Sequence, residues 1–414
     1  MSLRGPERYP DFVRWRAGNA IRLLQNGGEY FPALFEAIDS ACFSIHLETY
    51  IFNLDDTGLT LLDHLRAACA RGVRVRVVVD GFGSARHVRM LAQHFEQMGA
   101  RFRVYRPEPE GVEFYRFSLR RLRRLHRKVV VLDQSEAFVG GINVLDDLFD
   151  VPETGQGPQP RFDFAVQVNG PIVRDLFRAQ SDLWMRMAWR HRSDWPAFYR
   201  RMRGWRRRRD QMLAQRSPPV PQGVRAAVLF RDNVRFRKAI ESAYIGAIYR
   251  ARHDVLIANS YFLPGKALKS ALQDAAARGV RVRLLLQGRS EYTLQFRACR
   301  SMYGRLLSHG IEIYEYMPSY LHAKVAVIDG RAMVGSANMD PFSLLLAREA
   351  NVYVDDAGFA GQLQARLEAQ LQESSQLVTA LHEQRRSWLT RFLDACAHRL
   401  VRLGVAITGR SAEY

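Results

Sequence analysis

Two hydrophobic periods alternate along this chain, and their order repeats. From Gly58 the apolar residues recur at helical spacing. Arg71-Gly72-Val73-Arg74-Val75-Arg76 then turns the chain, and Val77-Val78-Val79 supplies a buried strand. The same succession returns 207 residues later as a helix over 266–277, Arg278-Gly279-Val280-Arg281-Val282-Arg283, and Leu284-Leu285-Leu286. Upstream, Ser44 to Phe52 and Asp254 to Phe262 read as strands ending near Tyr50 and Tyr261, each preceded by a helix, near 30–42 and 234–252. A period this long excludes a solenoid. It predicts two homologous α/β lobes packed as a pseudo-dimer.

Each lobe carries one further strand with the same chemistry on it. Leu125 to Asp133 reads L-H-R-K-V-V-V-L-D and Leu321 to Asp329 reads L-H-A-K-V-A-V-I-D, so H-x-K-x-x-x-x-D occurs twice at equivalent places. On a strand, His126 and Lys128 share a face, as do His322 and Lys324, while Asp133 and Asp329 fall at the strand ends. A second strand follows each motif and ends in small residues and an amide, Gly140-Gly141-Ile142-Asn143 and Gly335-Ser336-Ala337-Asn338. Glycine admits a phosphate close to the backbone, and the amides of Asn143 and Asn338 can donate to its oxygens.

Outside the repeat, Trp184 to Arg216 interleaves aromatic residues with arginines and ends at Pro218-Pro219-Val220-Pro221, a stiff linker. The sequence divides into a first lobe over 1–183, a basic aromatic linker over 184–222, a second lobe over 223–370 and a basic amphipathic tail over 371–414. In the tail, Trp388, Leu389, Phe392, Leu393, Cys396 and Leu400 fall on one helical face. Glu113 to Leu125 places leucines at spacing three among arginines. Linker, tail and this segment are all candidates for contact with a membrane surface. Asp146 to Arg161, rich in Pro, Gly and acids, has no counterpart in the second lobe and is expected as a surface insertion or a lid on the cleft.

Composition narrows the partners. A formal charge of +19 and a pI near 10.2 call for a polyanion, whether nucleic acid, an anionic membrane or a phosphorylated substrate. Four scattered cysteines without a C-x-x-C pair read as buried free thiols in a reducing compartment. Residues 1–19 contain no apolar signal region, and no run approaches the length of a spanning helix. Of only five lysines among 61 basic residues, two stand in the motifs. A compact ammonium fitted between phosphate oxygens is not replaceable by a planar guanidinium.

The paired motifs resemble those of the phospholipase D superfamily, over residues of about 18 to about 370, and most closely its B-type cardiolipin synthases. The closer likeness is carried by G-N-A-I-R-L-L-Q-N-G at 18–27, R-G-V-R-V-R-V-V-V-D-G-F-G-S at 71–84, A-N-S-Y-F-L-P-G at 258–265 and G-S-A-N-M-D-P-F-S-L at 335–344. The resemblance implies two lobes, each a mixed sheet flanked by helices, with one active site at their interface. It implies phosphodiester exchange through a phosphohistidine, with no metal and no cofactor. His126 is the nucleophile and His322 the acid in the family's usual order, and Lys128, Lys324, Asn143, Asn338 and Ser336 hold the phosphate. The aspartates Asp133 and Asp329 complete the catalytic motif and are expected as structural supports. An acidic residue is expected behind each histidine, Asp163 in the first lobe and Glu349 in the second. The implied reaction condenses two phosphatidylglycerols to cardiolipin at the cytoplasmic face of the bacterial inner membrane, by a peripheral enzyme. A phospholipid hydrolase or a nuclease is the rival enzyme, and a non-catalytic binding protein is the rival class. Nucleic acid is the less favoured partner.

Overall fold

The computed structural model describes residues 13–108, 123–152, 157–188, 212–213, 215–232 and 236–407. Its strands are β1 (Arg16–Gln25), β2 (Ser44–Thr49), β3 (Arg74–Asp80), β4 (Arg101–Tyr105), β5 (Lys128–Leu132), β6 (Glu136–Gly140), β7 (Phe164–Asn169), β8 (Val224–Arg231), β9 (Asp254–Asn259), β10 (Arg281–Gln287), β11 (Glu312–Tyr316), β12 (Lys324–Ile328), β13 (Arg331–Gly335), β14 (Glu349–Asp355) and β15 (Ser375–Val378). All join one sheet in the order β15-β11-β10-β9-β12-β13-β14-β8-β1-β7-β6-β5-β2-β3-β4. Read outward from the β1–β8 pair, the two halves repeat strand for strand, with β15 added at the edge of the second. The duplication legible in the sequence is therefore a pseudo-twofold in the fold.

The hydrophobic pattern explains why the motif strands lie at the centre. A strand covered on both faces needs apolar residues at every position. On β5, Val129 and Val131 enter a core shared by both lobes, while Val130 and Leu132 enter the first lobe's own core. On β12, Val325 and Val327 face the shared core, with Ala326 and Ile328 in the second lobe's own. The motif strands thus carry the lobe interface as well as the chemistry.

Several expectations need correction. The tail is not separate from the second lobe: β15 pairs antiparallel with β11, and Ala397 and Val401 of the helix Trp388–Ile407 join the second lobe's core. Trp184, expected at the start of a surface linker, is buried in the helix Val173–Ala188 beneath the guanidinium of Arg103, 3.9 Å from the ring centre. Residues 189–211 and 113–122 lie outside the described residues. Leu125, expected on an amphipathic face, is fully buried. The cysteines are free, but only Cys299 is buried; Cys42 is exposed, and Cys69 and Cys396 are half-buried.

Candidate active site

His126 and His322 line one cavity of about 890 Å³ between the lobes, together with Asn143, Asp163 and Asn338. The chain brings them there by crossing over. His126 N donates to Arg348 O at 3.0 Å, and Arg348 N donates to Arg124 O at 2.8 Å. In the same way His322 N donates to Phe162 O at 2.9 Å, and Phe162 N to Tyr320 O at 3.0 Å. Each motif strand therefore begins by pairing with the strand that leads into the other lobe's acid.

This crossing overturns the expected acid pairing. His126 Nδ1 meets Glu349 at 2.9 and 3.2 Å, and His322 Nδ1 meets Asp163 at 2.6 Å. Asp163 backs the second lobe's histidine and Glu349 the first's. Each carboxylate follows its own lobe's motif in sequence, so order along the chain points to a partner in the same lobe. Pairing between lobes is a tertiary fact that spacing does not carry.

The serine and glycine positions then make sense. Ser336 is fully buried and donates to Glu349 Oε2 at 2.6 Å while accepting from Ala350 N at 3.1 Å. It orients the carboxylate and does not face the cavity, which corrects its expected role at the phosphate. Its counterpart Gly141 packs on Asp163, and a Cβ there would stand 2.3 Å from the carboxylate oxygen. Glycine at 141, where the second lobe has Ser336, is thus a steric requirement of Asp163.

The motif aspartates lie away from the cavity. Both adopt left-handed backbone, φ 50° at Asp133 and 44° at Asp329, a conformation that Asp tolerates better than most residues. The Asp133 carboxylate accepts from Cys42 N, Phe43 N and Ser44 N, each at 2.7 Å. Asp329 accepts from Arg252 N, His253 N and Asp254 N at 2.6, 3.1 and 2.9 Å. Each fastens the turn after its motif strand to the start of the neighbouring strand. Both carboxylates are thus committed to backbone amides.

Both lysines are buried, and each Nζ donates to the carbonyl of its own motif histidine, Lys128 at 2.8 Å. Lys128 also sits 5.5 Å from the centre of the Tyr50 ring, where Lys324 instead donates to Ser260 Oγ at 3.3 Å. Burial pushes the Lys128 ammonium down to about 7, with Lys324 adding repulsion, and Lys324 itself to about 8. Burial pushes the Asp163 carboxyl up to about 7 against the pull of the lysines. Burial, outweighing the attraction of Glu349, holds the His126 imidazole below its ordinary value. Burial and both lysines hold His322 well below it. Asn143, which lines the cavity, accepts at Oδ1 from Ile51 N at 3.2 Å, and Asn338 Oδ1 is buried without a protein partner.

Sequence reasoning missed several groups around this centre. Asp80, at the end of β3, is fully buried and accepts from Leu125 N at 2.7 Å, fixing the residue before His126. The equivalent Gln287 accepts from Leu321 N before His322. Arg124 and Arg161 line the cavity two residues before His126 and Asp163, an i, i+2 relation legible on a strand. Arg161 donates to Glu291 at 3.1 Å, and Tyr261 donates to the other oxygen of Glu291 at 3.1 Å. Of the two expectations for the insertion, a surface segment or a border of the cleft, the described residues support the second, with Asp147, Phe149, Asp150 and Arg161 in the wall.

Comparison with known proteins gives the family and the fold. The family model for the "Cardiolipin synthase, PLD-like domain" matches residues 34–150 and 244–371, one match per lobe. The chain is 35% identical over 396 residues to cardiolipin synthase B of Escherichia coli strain K12, covering 95% of this chain and 91% of that protein. It is 36% identical over 398 residues to the Salmonella typhimurium protein of the same name, with the same coverage. In fold it is similar to the crystal structure of phosphatidylserine synthase from Haemophilus influenzae Rd KW20. The TM-score is 0.67 over 97% of this chain and 98% of that one, at 14% identity.

Proposed function

This chain belongs to the cardiolipin synthase family of phospholipase D-like proteins, and we propose that it condenses two phosphatidylglycerols to cardiolipin and glycerol through a phosphatidyl-histidine. The observation that carries the reading is the crossed arrangement of two His–carboxylate pairs whose histidines line one cavity, with a buried lysine on the carbonyl of each histidine.

In the resting site, His126 Nδ1–H donates to Glu349, which leaves the Nε2 lone pair free for attack. Asp163 and His322 share one proton along their 2.6 Å contact, and the raised Asp163 carboxyl keeps that proton in the pair near neutrality. In the first step, His126 Nε2 attacks phosphorus and the bond to the glycerol oxygen breaks. The departing alkoxide takes the proton from His322 Nε2. In the second step, the glycerol hydroxyl of another phosphatidylglycerol returns a proton to the His322 pair and attacks phosphorus. The P–N bond breaks and its electrons return to His126. Lys128, Lys324 and the amides of Asn143 and Asn338 stabilise charge on the non-bridging oxygens. Water in place of the second lipid would give phosphatidic acid.

The same reading places the enzyme peripherally on the cytoplasmic face of the bacterial inner membrane. Its charge of +19 suits an anionic lipid surface, and no helix among the described residues is long and apolar enough to cross a membrane. Purified protein given labelled phosphatidylglycerol vesicles in excess chelator should release cardiolipin and glycerol in equal amounts. Phosphatidic acid as the sole product would make it a hydrolase. Cleavage of single-stranded DNA with no action on lipid would make it a nuclease.

A further inference from the structure

The mouth of the cavity is ringed by exposed apolar side chains drawn from three separate segments and both lobes. Phe82, from the loop after β3, is 56% exposed; Phe149, from the insertion, is 45% exposed; Tyr292, from the loop after β10, is 59% exposed. All three line the cavity. Leu148 and Leu294 stand exposed beside the latter two in the chain. Single exposed apolar residues are ordinary on any protein, but convergence of three loops on one opening is not. Cations accompany them. Arg86 is exposed in the cavity wall, and the Arg124 guanidinium lies 4.9 Å from the centre of the Phe82 ring. The ring is also braced: Arg161 donates to Phe149 O at 3.0 Å and to Glu291 at 3.1 Å, tying the first lobe's insertion to the second lobe's wall.

Cavity size adds a second, independent constraint. A cavity of about 890 Å³ is of the size that encloses one drug-sized ligand. It holds the headgroups of two phospholipids but not their four acyl chains, so the chains stay outside while the phosphates react.

We propose that this rim docks the enzyme, mouth first, onto an anionic lipid bilayer. Phe82, Leu148, Phe149, Tyr292 and Leu294 enter the boundary between headgroups and hydrocarbon, and Arg86 meets lipid phosphate. The rim then passes headgroups into the cavity without drawing acyl chains through water. Leu294 lies in the first turn of the helix Thr293–Arg300, and further along that helix Arg297 holds Asp394 of the tail helix at 3.4 Å. Trp388, Leu389, Phe392 and Leu393 of the tail helix are exposed, so one helix links the rim to a further apolar surface.

The inference rests on the lipid-substrate reading, and one experiment separates the two. Leu148→Ser/Leu294→Ser is compared with the unaltered protein in sedimentation with mixed phosphatidylglycerol–phosphatidylcholine vesicles and in turnover on them. Turnover is also measured on short-chain phosphatidylglycerol held below its micelle concentration. The account expects vesicle affinity and vesicle turnover to fall by about tenfold or more, with short-chain turnover unchanged. An environment-sensitive dye on Leu148→Cys, in a Cys42→Ser background, should shift to the blue when vesicles are added. Unaltered sedimentation, an unshifted dye, or a loss of self-association in place of vesicle binding would each overturn the docking surface. Absence of short-chain turnover in the unaltered protein would instead sink the catalytic reading, leaving sedimentation and the dye to judge the rim.

Discussion

The two lysines test how closely the site is fitted to a phosphate. Each is buried, and each Nζ is already directed by the carbonyl of its own histidine. A guanidinium keeps the charge but is planar and larger. Lys128→Arg and Lys324→Arg should therefore lose most turnover while still folding, read from far-UV circular dichroism; near-normal rates in both would reject this account. The carboxylates behind the histidines should behave differently from the motif aspartates. Asp163→Asn and Glu349→Gln each leave a histidine without its orienting partner, and turnover should fall by about 10²–10⁴. Asp329→Ala removes an acceptor from three backbone amides and should cost about 1–3 kcal/mol of stability. Turnover per folded molecule should remain, measured by activity alongside a denaturant titration. The pH profile follows from the same groups. The raised Asp163 carboxyl keeps the Asp163–His322 proton only below about pH 7, and Lys128 and Lys324 lose their charge through about 7 and 8. Activity should fall on the alkaline side across that range. It should fall on the acid side as His126 protonates, below the ordinary histidine value. In Asp163→Asn the alkaline limb should move, because the proton is then held by His322 alone. A limb that stays in place would remove Asp163 from the proton pathway.

At the level of elements, the motif strands have a second duty that the chemistry conceals. Between His126 and Lys128, Arg127 is buried and forms an ion pair with Glu48 of β2 while also donating to Ala179 O at 3.3 Å. The second lobe places buried Ala323 at the same position. Glu48→Ala leaves a guanidinium buried without its partner and should destabilise the first lobe by about 3–5 kcal/mol, read from the urea midpoint. The double variant Glu48→Leu/Arg127→Leu should recover much of that loss. Such asymmetry between otherwise matched strands marks the limit of what the sequence discloses. The helix–turn–strand repeat, the motif strands and the four motif His and Lys side chains are legible because period and spacing are local properties. The β1–β8 pairing and the shared core are not. They join strands of different lobes, and either strand alone offers only an alternation that many partners would satisfy. The same reason misled the pairing of Asp163 and Glu349. Ser336, which the resemblance puts at the phosphate, is buried and gives its hydroxyl to Glu349.

Across the whole molecule, neither lobe owns a complete site. Each supplies a histidine and lysine to one half and a carboxylate to the other, so either lobe expressed alone should be inactive even if it folds. Removing the tail is not a clean test of membrane contact, because Ala397 and Val401 belong to the second lobe's core. Point changes on its exposed face are preferable. The charge of +19 predicts that vesicle binding weakens as salt rises and as anionic lipid is withdrawn, since surface cations contribute about 1 kcal/mol each within a Debye length. The central claim, transfer through a covalent adduct on His126 with the Asp163–His322 pair as acid, is tested most directly by trapping. His322→Asn, mixed with a phosphatidyl donor bearing a good leaving group and quenched, should yield protein carrying one phosphatidyl group, which mass spectrometry of its peptides places on His126. An adduct on His322 of the His126→Asn protein would reverse the two roles, and turnover by the unaltered enzyme with no adduct at any quench time would contradict the covalent mechanism.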